Sequence, residues 1–227
     1  MTGQLTFDLP LRVALGRADF LVAPSNALAL AALDAWSGWP QRKLVLVGPA
    51  GSGKTHLAQV WAADTGARLV AARALVTMDP VPLCQQPLVV EDIDSLAGDQ
   101  AAETALFHLH NLMAAQQQPL LLTARLSPGR AGFCLPDLAS RLLASQSAVL
   151  EAPDDALLSA VLVKMFADRQ VMVPPALIPW LVARMERSLS GAGSIVARLD
   201  AAALTAGKPI SRAIAAEVLD RAEPPAT

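Results

Sequence analysis

The residues with the clearest capacity for chemistry are Gly48-Pro-Ala-Gly-Ser-Gly-Lys-Thr55, a complete G-x-x-x-x-G-K-[ST] pattern. The pattern succeeds the apolar run Lys43-Leu-Val-Leu-Val47 and opens a helix-like stretch, the setting in which such a loop folds around phosphate. Gly48, Gly51 and Gly53, with Ser52 among them, let the backbone curl so that its N–H groups converge on phosphate oxygens. The helix that comes next adds the positive end of its dipole. Lys54 then reaches the β- and γ-phosphates, and the Thr55 hydroxyl is a ligand for Mg²⁺. The ligand implied is a nucleotide.

A phosphate loop of this kind works with a second strand that ends in acids, which hold Mg²⁺ and polarise water. Leu88-Val-Val-Glu-Asp-Ile-Asp94 supplies that ending. Glu91 stands where the metal-holding Asp usually falls, one methylene longer, and Asp92 takes the next, water-polarising slot. A helix-capping acid cluster is the other reading of the pair. Thr123 ends the next apolar run at a spacing suited to a polar group near the γ-phosphate, or is an ordinary strand-end threonine. His108 and His110 lie two apart on a helical stretch, so they face different directions and suit no paired metal site. Cys84 and Cys134 show no CxxC or Cys/His spacing and read as buried thiols. Trp36, Trp39, Trp61 and Trp180 read as core or seam residues.

The elements that must position these groups alternate. Short apolar runs at 43–47, 68–71, 87–90, 119–123 and 148–150 read as buried strands, with helical segments at 25–36, 53–65, 101–117 and 136–144 between or around them. That alternation predicts an α/β fold, a five-stranded parallel sheet flanked by helices. After Pro153 strand signals cease, and 154–170, 175–187, 194–206 and 211–222 read as four helices. The expected organisation is a tail over 1–15, an α/β nucleotide-binding domain over 16–152 and a small all-α lid over 153–227.

Composition narrows the function classes. The 227 residues are 53% hydrophobic and 17% charged, enough for a substantial core and unlike a disordered chain. The net charge of −2, from 18 Lys+Arg against 20 Asp+Glu, is spread evenly along the chain, without the basic excess of an independent nucleic-acid module. The start, Met1-Thr-Gly-Gln, has no secretory n-region, and no apolar run near it approaches the ~20 residues of a membrane span. A cytoplasmic protein without membrane attachment is the expectation.

Asp19-Phe-Leu-Val-Ala-Pro-Ser-Asn-Ala-Leu-Ala29, the loop running on into His56-Leu57, and Leu135-Pro-Asp-Leu-Ala-Ser-Arg-Leu142 together carry a resemblance. They are similar to the AAA+ domain of the DnaA family, and more so to its shorter Hda-type regulators. The resemblance runs from Gln4 to about Leu219. It implies a P-loop AAA+ domain with a helical lid, binding ATP or ADP with Mg²⁺. It implies that Arg141 is an arginine finger acting in trans on a partner's nucleotide. It also implies that Gln4, Leu5, Phe7 and Leu9 form a peptide that docks on the sliding clamp, the β subunit of DNA polymerase III. Extended peptides of that sort bind through a few buried anchors; a strand or staple against the body of the fold is the alternative.

The resemblance further implies a regulator of replication initiation. Such a protein would dock on the DNA-loaded clamp, stimulate ATP hydrolysis by DnaA through Arg141 and so prevent re-initiation. DNA would be met through the clamp. Neither a helix-turn-helix DNA-binding domain nor a helicase-recruiting domain is expected, and a homo-oligomer stays open. One departure concerns the lid: relatives begin its third helix with a phosphate-contacting arginine, and Ser190 falls there, with Arg187 and Arg198 as nearby substitutes. With Glu91 in the metal slot as well, the site reads as better at holding a nucleotide than at cleaving one. The alternative is a helicase-loader or transposition-helper ATPase that hydrolyses ATP itself and binds single-stranded DNA.

Overall fold

A computed structural model describes residues 21–220. The strands are β1 (Lys43–Val47), β2 (Arg68–Ala71), β3 (Leu88–Glu91), β4 (Leu120–Ala124) and β5 (Gln146–Val149), the last beginning at the polar Gln146 rather than at Ala148 because Gln146 and Ser147 pair with Leu44 and Val45 of β1. They pair in the order β2-β3-β4-β1-β5, every pairing parallel. The side chains of the central strands β1, β3 and β4 alternate between two helical layers, which is why those runs are apolar, whereas the edge strands β2 and β5 are largely exposed. Leu44 and Leu46 pack with Val89 and Leu121 against helices α1 (Pro24–Asp34) and α2 (Lys54–Thr65). Val45 and Val47 pack with Val90, Leu120 and Leu122 on the opposite face. In chain order the next helices are the single-turn α3 (Pro80–Leu83), α4 (Gln100–Ala115) and α5 (Pro136–Ala144). Helices α4 and α5 cover that opposite face, with α3 at the margin.

The helical part has its own core. It comprises α6 (Asp155–Asp168), α7 (Leu177–Val182), α8 (Leu189–Ala206) and α9 (Arg212–Asp220), packed around Leu158, Phe166, Leu181, Val196 and Leu199. Caps fix the starts. Asp154 accepts the Leu157 N–H at 2.7 Å to open α6, and Ser188 accepts the Gly191 N–H at 2.8 Å to open α8. Helix α8 therefore begins at Leu189 rather than near Ser194, because the serine that caps it is Ser188. Helix α7 is shorter than its pattern predicts. The 3₁₀ segments Ala72–Thr77 and Ile93–Leu96 carry no periodicity that marks them in the sequence. No described helix is long and apolar enough to cross a membrane.

Trp39 and Trp61 are buried and stacked, ring centroids 5.3 Å apart, with Trp36 edge-on to Trp61. Cys84 is buried, and burial raises its thiol pKa. Cys134 is exposed, contrary to the expectation of two buried thiols, because it lies in the loop before α5. The histidines do diverge: His108 is exposed and His110 fully buried.

His110 has an unusual partner. The Nζ of Lys43, itself 1% exposed, lies 3.1 Å from His110 Nδ1. Burial first, then the charge of Arg141 on α5, lowers Lys43 from 10.5 to about 8. Burial, Lys43 and Arg141 likewise lower His110 to about 4. A base depressed in the folded state destabilises the fold while charged, so stability rises as pH climbs from about 8 towards 10.5, where only the unfolded chain still holds the proton. Urea unfolding should show the parent gaining stability relative to Lys43→Met by about 3 kcal/mol across that window. A constant difference between the two proteins from pH 7.5 to 10.5 would contradict this.

Candidate nucleotide site and an outward arginine

The sheet order sets the site. With β4 between β1 and β3, the loop after β1, the residue after β4 and the acids after β3 emerge side by side at one end. The loop is tightly determined. Gly51 (φ 71°) and Gly53 (φ 101°) occupy left-handed backbone, and a Cβ on Gly48 would lie 2.5 Å from the Leu150 carbonyl oxygen. Lys54 opens α2 and is buried, its Nζ donating to the carbonyls of Gly48 (2.7 Å) and Pro49 (2.9 Å). Burial lowers its pKa most; Arg125 lowers it further, while Asp92, Asp94 and Glu91 act to raise it. The Ser52 hydroxyl is buried without a hydrogen-bond partner. A cradle that only glycine can line, an unsatisfied hydroxyl and a desolvated ammonium fit phosphate oxygens.

The loop borders a cleft of about 660 Å³. Gly51, Lys54, Thr55 and Asp92 line it from the α/β side, and Met165, Leu189 and Ser190 close it from the lid. Glu91 faces an adjoining cleft of about 420 Å³ with Arg73, Asp94 and Ser95, and its buried Oε1 has no hydrogen-bond partner. Asp92 and Arg125 belong to both clefts. Asp92 sits in left-handed backbone, pinned by its N–H donating to Thr123 Oγ1 at 3.0 Å. Thr123 is itself 1% exposed, so its hydroxyl acts from beneath Asp92 rather than from the cleft wall. The acids cap no long helix; α4 is capped by Asp99. Among the described residues no group of three His, Cys, Asp or Glu forms a metal site of its own. Thr55 and Asp92 fit Mg²⁺ that brings phosphate oxygens as further ligands.

In the lid, Ser190 reaches the cleft, in keeping with its place in the sequence. Neither candidate substitute does. Arg187 pairs with Asp155 at 2.6 Å, and Arg198 donates to the Val218 carbonyl, tying α8 to α9. The cation that does enter is Arg125, two residues after Thr123, which no motif in the sequence marks.

Arg141 lies elsewhere. It is exposed on α5, its guanidinium 5.6 Å over the Phe107 ring of α4, and it does not line the phosphate-loop cleft. The start of α5 is held by a residue with no motif to announce it. Glu103, completely buried, accepts the N–H groups of Gly98 (2.9 Å), Cys134 (3.0 Å) and Leu135 (2.7 Å). Burial alone would raise its pKa, but the three donors hold it below the usual carboxylate range. Gln4, Leu5, Phe7 and Leu9 lie outside the described residues.

The fold, a five-stranded parallel sheet flanked by helices and followed by a helical part, is that of the DnaA AAA+ domain. Domain III of the replication initiation protein DnaA from Thermotoga maritima superimposes with a TM-score of 0.81 at 20% identity, covering 94% of this chain and 98% of that one. AMPPCP-bound DnaA from Aquifex aeolicus does so with a TM-score of 0.69 at 15% identity, over 81% of this chain and 63% of that one. In sequence, the chromosomal replication initiator protein DnaA of Thermomicrobium roseum is 24% identical over 236 residues, 88% of this chain. That alignment takes in 48% of the initiator, so the chain spans about half the length of that relative. No protein-family model matches the chain.

Lys54→Ala removes a charge-assisted contact from the loop and should weaken nucleotide affinity at least ~10-fold in calorimetry. Undiminished binding would remove the loop from the site.

Proposed function

We propose that the protein is an Hda-type regulator of replication initiation. It binds adenine nucleotide with Mg²⁺ through Gly48, Gly51, Ser52, Gly53, Lys54 and Thr55, with Asp92 facing the metal from the loop cleft and Glu91 standing behind it in the adjoining one. It presents Arg141 in trans to ATP-bound DnaA. The observation that carries the reading is the separation between a complete phosphate loop and an exposed arginine on α5, outside the cleft of its own chain. Similarity to DnaA, including a relative solved with AMPPCP, supports the choice of nucleotide and of pathway. Attachment to the sliding clamp through Gln4, Leu5, Phe7 and Leu9 rests on the sequence pattern, and DNA is met through the clamp. Ser190 in place of a lid arginine supports slow or absent hydrolysis by the protein itself. A helicase-loader or transposition-helper role would require the opposite, turnover without a partner.

The direct test is ATP hydrolysis by DnaA with this protein, with and without clamp loaded on DNA. An arginine finger neutralises charge that develops in the transition state, so Arg141→Ala should lower stimulated hydrolysis on the order of 10³-fold while nucleotide binding and complex formation persist. Arg141→Lys should not restore it, since an ammonium lacks the planar fork. Near-parental stimulation in either variant would make Arg141 a surface residue; collapse of the protein's own nucleotide binding would place it in cis.

The tail makes a separate prediction. Replacing Gln4, Leu5 and Phe7 with Ala should abolish clamp binding with little change in melting temperature. A large fall in melting temperature would assign the segment to the fold instead.

A further inference from the structure

We infer that Arg125 is the second phosphate-binding cation of this site, supplying from the sheet the positive charge that Ser190 does not supply from the lid. The inference rests on the nucleotide reading above and assigns to it a residue outside the loop motif.

The backbone places Arg125 beside the cradle. Val47 and Ala124 are register partners, and the Gly48 N–H donates to the Ala124 carbonyl at 3.0 Å. Residue 125 therefore leaves the sheet beside the first glycine of the phosphate loop. On its other side stands Asp92, fastened to Thr123 of the same strand. The Arg125 backbone is fixed as well, its N–H donating to Asp94 Oδ1 at 3.0 Å. Its side chain lines both the loop cleft and the adjoining one.

The charge balance of the cleft calls for a further cation. Lys54 faces Asp92 there, and the two cancel, so that with Mg²⁺ as the remaining cation the site stays net negative around a nucleoside di- or triphosphate. Among the described residues Arg125 is the one other charged side chain lining the loop cleft, and its field reaches Lys54. Its guanidinium makes no ion pair among the described residues, although Glu91, Asp92 and Asp94 line the same pair of clefts, with Arg73 in the second. Five donors in a planar fork are thus unspent at the mouth of a phosphate cradle, and paired phosphate oxygens are the acceptors that such a fork matches. Arg187 and Arg198, the lid's own candidates, are committed to Asp155 and to the α9 backbone.

The test is calorimetry on the full chain with Mg²⁺ and three probes: AMPPCP, ADP and, as a phosphate-free control, adenosine. Arg125→Ala should weaken AMPPCP and ADP at least ~10-fold, leave adenosine unchanged and leave the ligand-free melting temperature near the parent's, since the side chain is exposed. Arg125→Lys should recover the affinity in part. Ser190→Arg added to Arg125→Ala should restore phosphate-dependent affinity from the lid side, and failure to restore any of it would overturn the exchange of one position for the other. Parental affinity of Arg125→Ala for all three probes, or an equal loss for all three, would overturn the assignment. If the parent itself binds neither AMPPCP nor ADP, the nucleotide reading fails and takes this inference with it. That outcome differs from a parent that binds and a variant that binds equally well.

Discussion

Pairing of β1 with β4, far from it in the chain, is the constraint on which the site depends. If β1 lay beside β2, its neighbour in sequence, the phosphate loop and the acids of β3 would open onto different parts of the sheet edge. The observed order puts Gly48, Arg125 and Asp92 on three adjacent strand ends. It holds them there with main-chain and threonine hydrogen bonds rather than with side chains that could swing. Parallel strands require helical crossovers, and those crossovers bury both faces of the sheet. The apolar runs that make the strands visible in the sequence thus have the same origin as the arrangement of the charged groups at their ends.

At the other end of β1 and along α4, the fold places charge where a core would ordinarily be apolar. Lys43 and His110 share a buried contact, with Arg141 near enough to depress both. Glu103 is a buried carboxylate fully used by three backbone donors. The two differ in sign and in satisfaction. Glu103 holds the loop before α5 in one conformation and so fixes where that helix begins. The lysine–histidine pair leaves His110 Nε2 without a partner and pushes its basic groups towards neutrality. Helix α5 is held at its start by an anion, while Arg141 near its end projects over the Phe107 ring.

The strands, the phosphate loop and the division between sheet and lid are legible in the sequence because each is a local pattern: an apolar run, a fixed glycine spacing, a change of period after Pro153. Helix starts are less so. The sequence pattern starts the third helix of the lid at 194, whereas Ser188 caps it and its first turn packs against Gly51 and Gly53. Glu103 and the Lys43–His110 contact are invisible there, since each joins segments far apart in the chain. Arg125 is the instructive case. It stands in plain view two residues after Thr123, but the resemblance to DnaA-type domains points to the lid for a second cation, and only the two clefts it borders bring it forward. The Thr123 hydroxyl, expected near the γ-phosphate, is used one layer deeper, to set the backbone of Asp92.

The lid meets the phosphate loop through main chain. The Leu189 N–H at the start of α8 donates to the Gly51 carbonyl at 2.8 Å, and Ser188 fills the space that any side chain on residue 51 would need. Gly51 is thus at once a bend in the cradle and a latch for the lid. A movement of the helical part away from the cradle would have to break that bond and free a carbonyl within the cradle itself. Cradle and lid are therefore coupled through residue 51, and a substitution there would disturb both together.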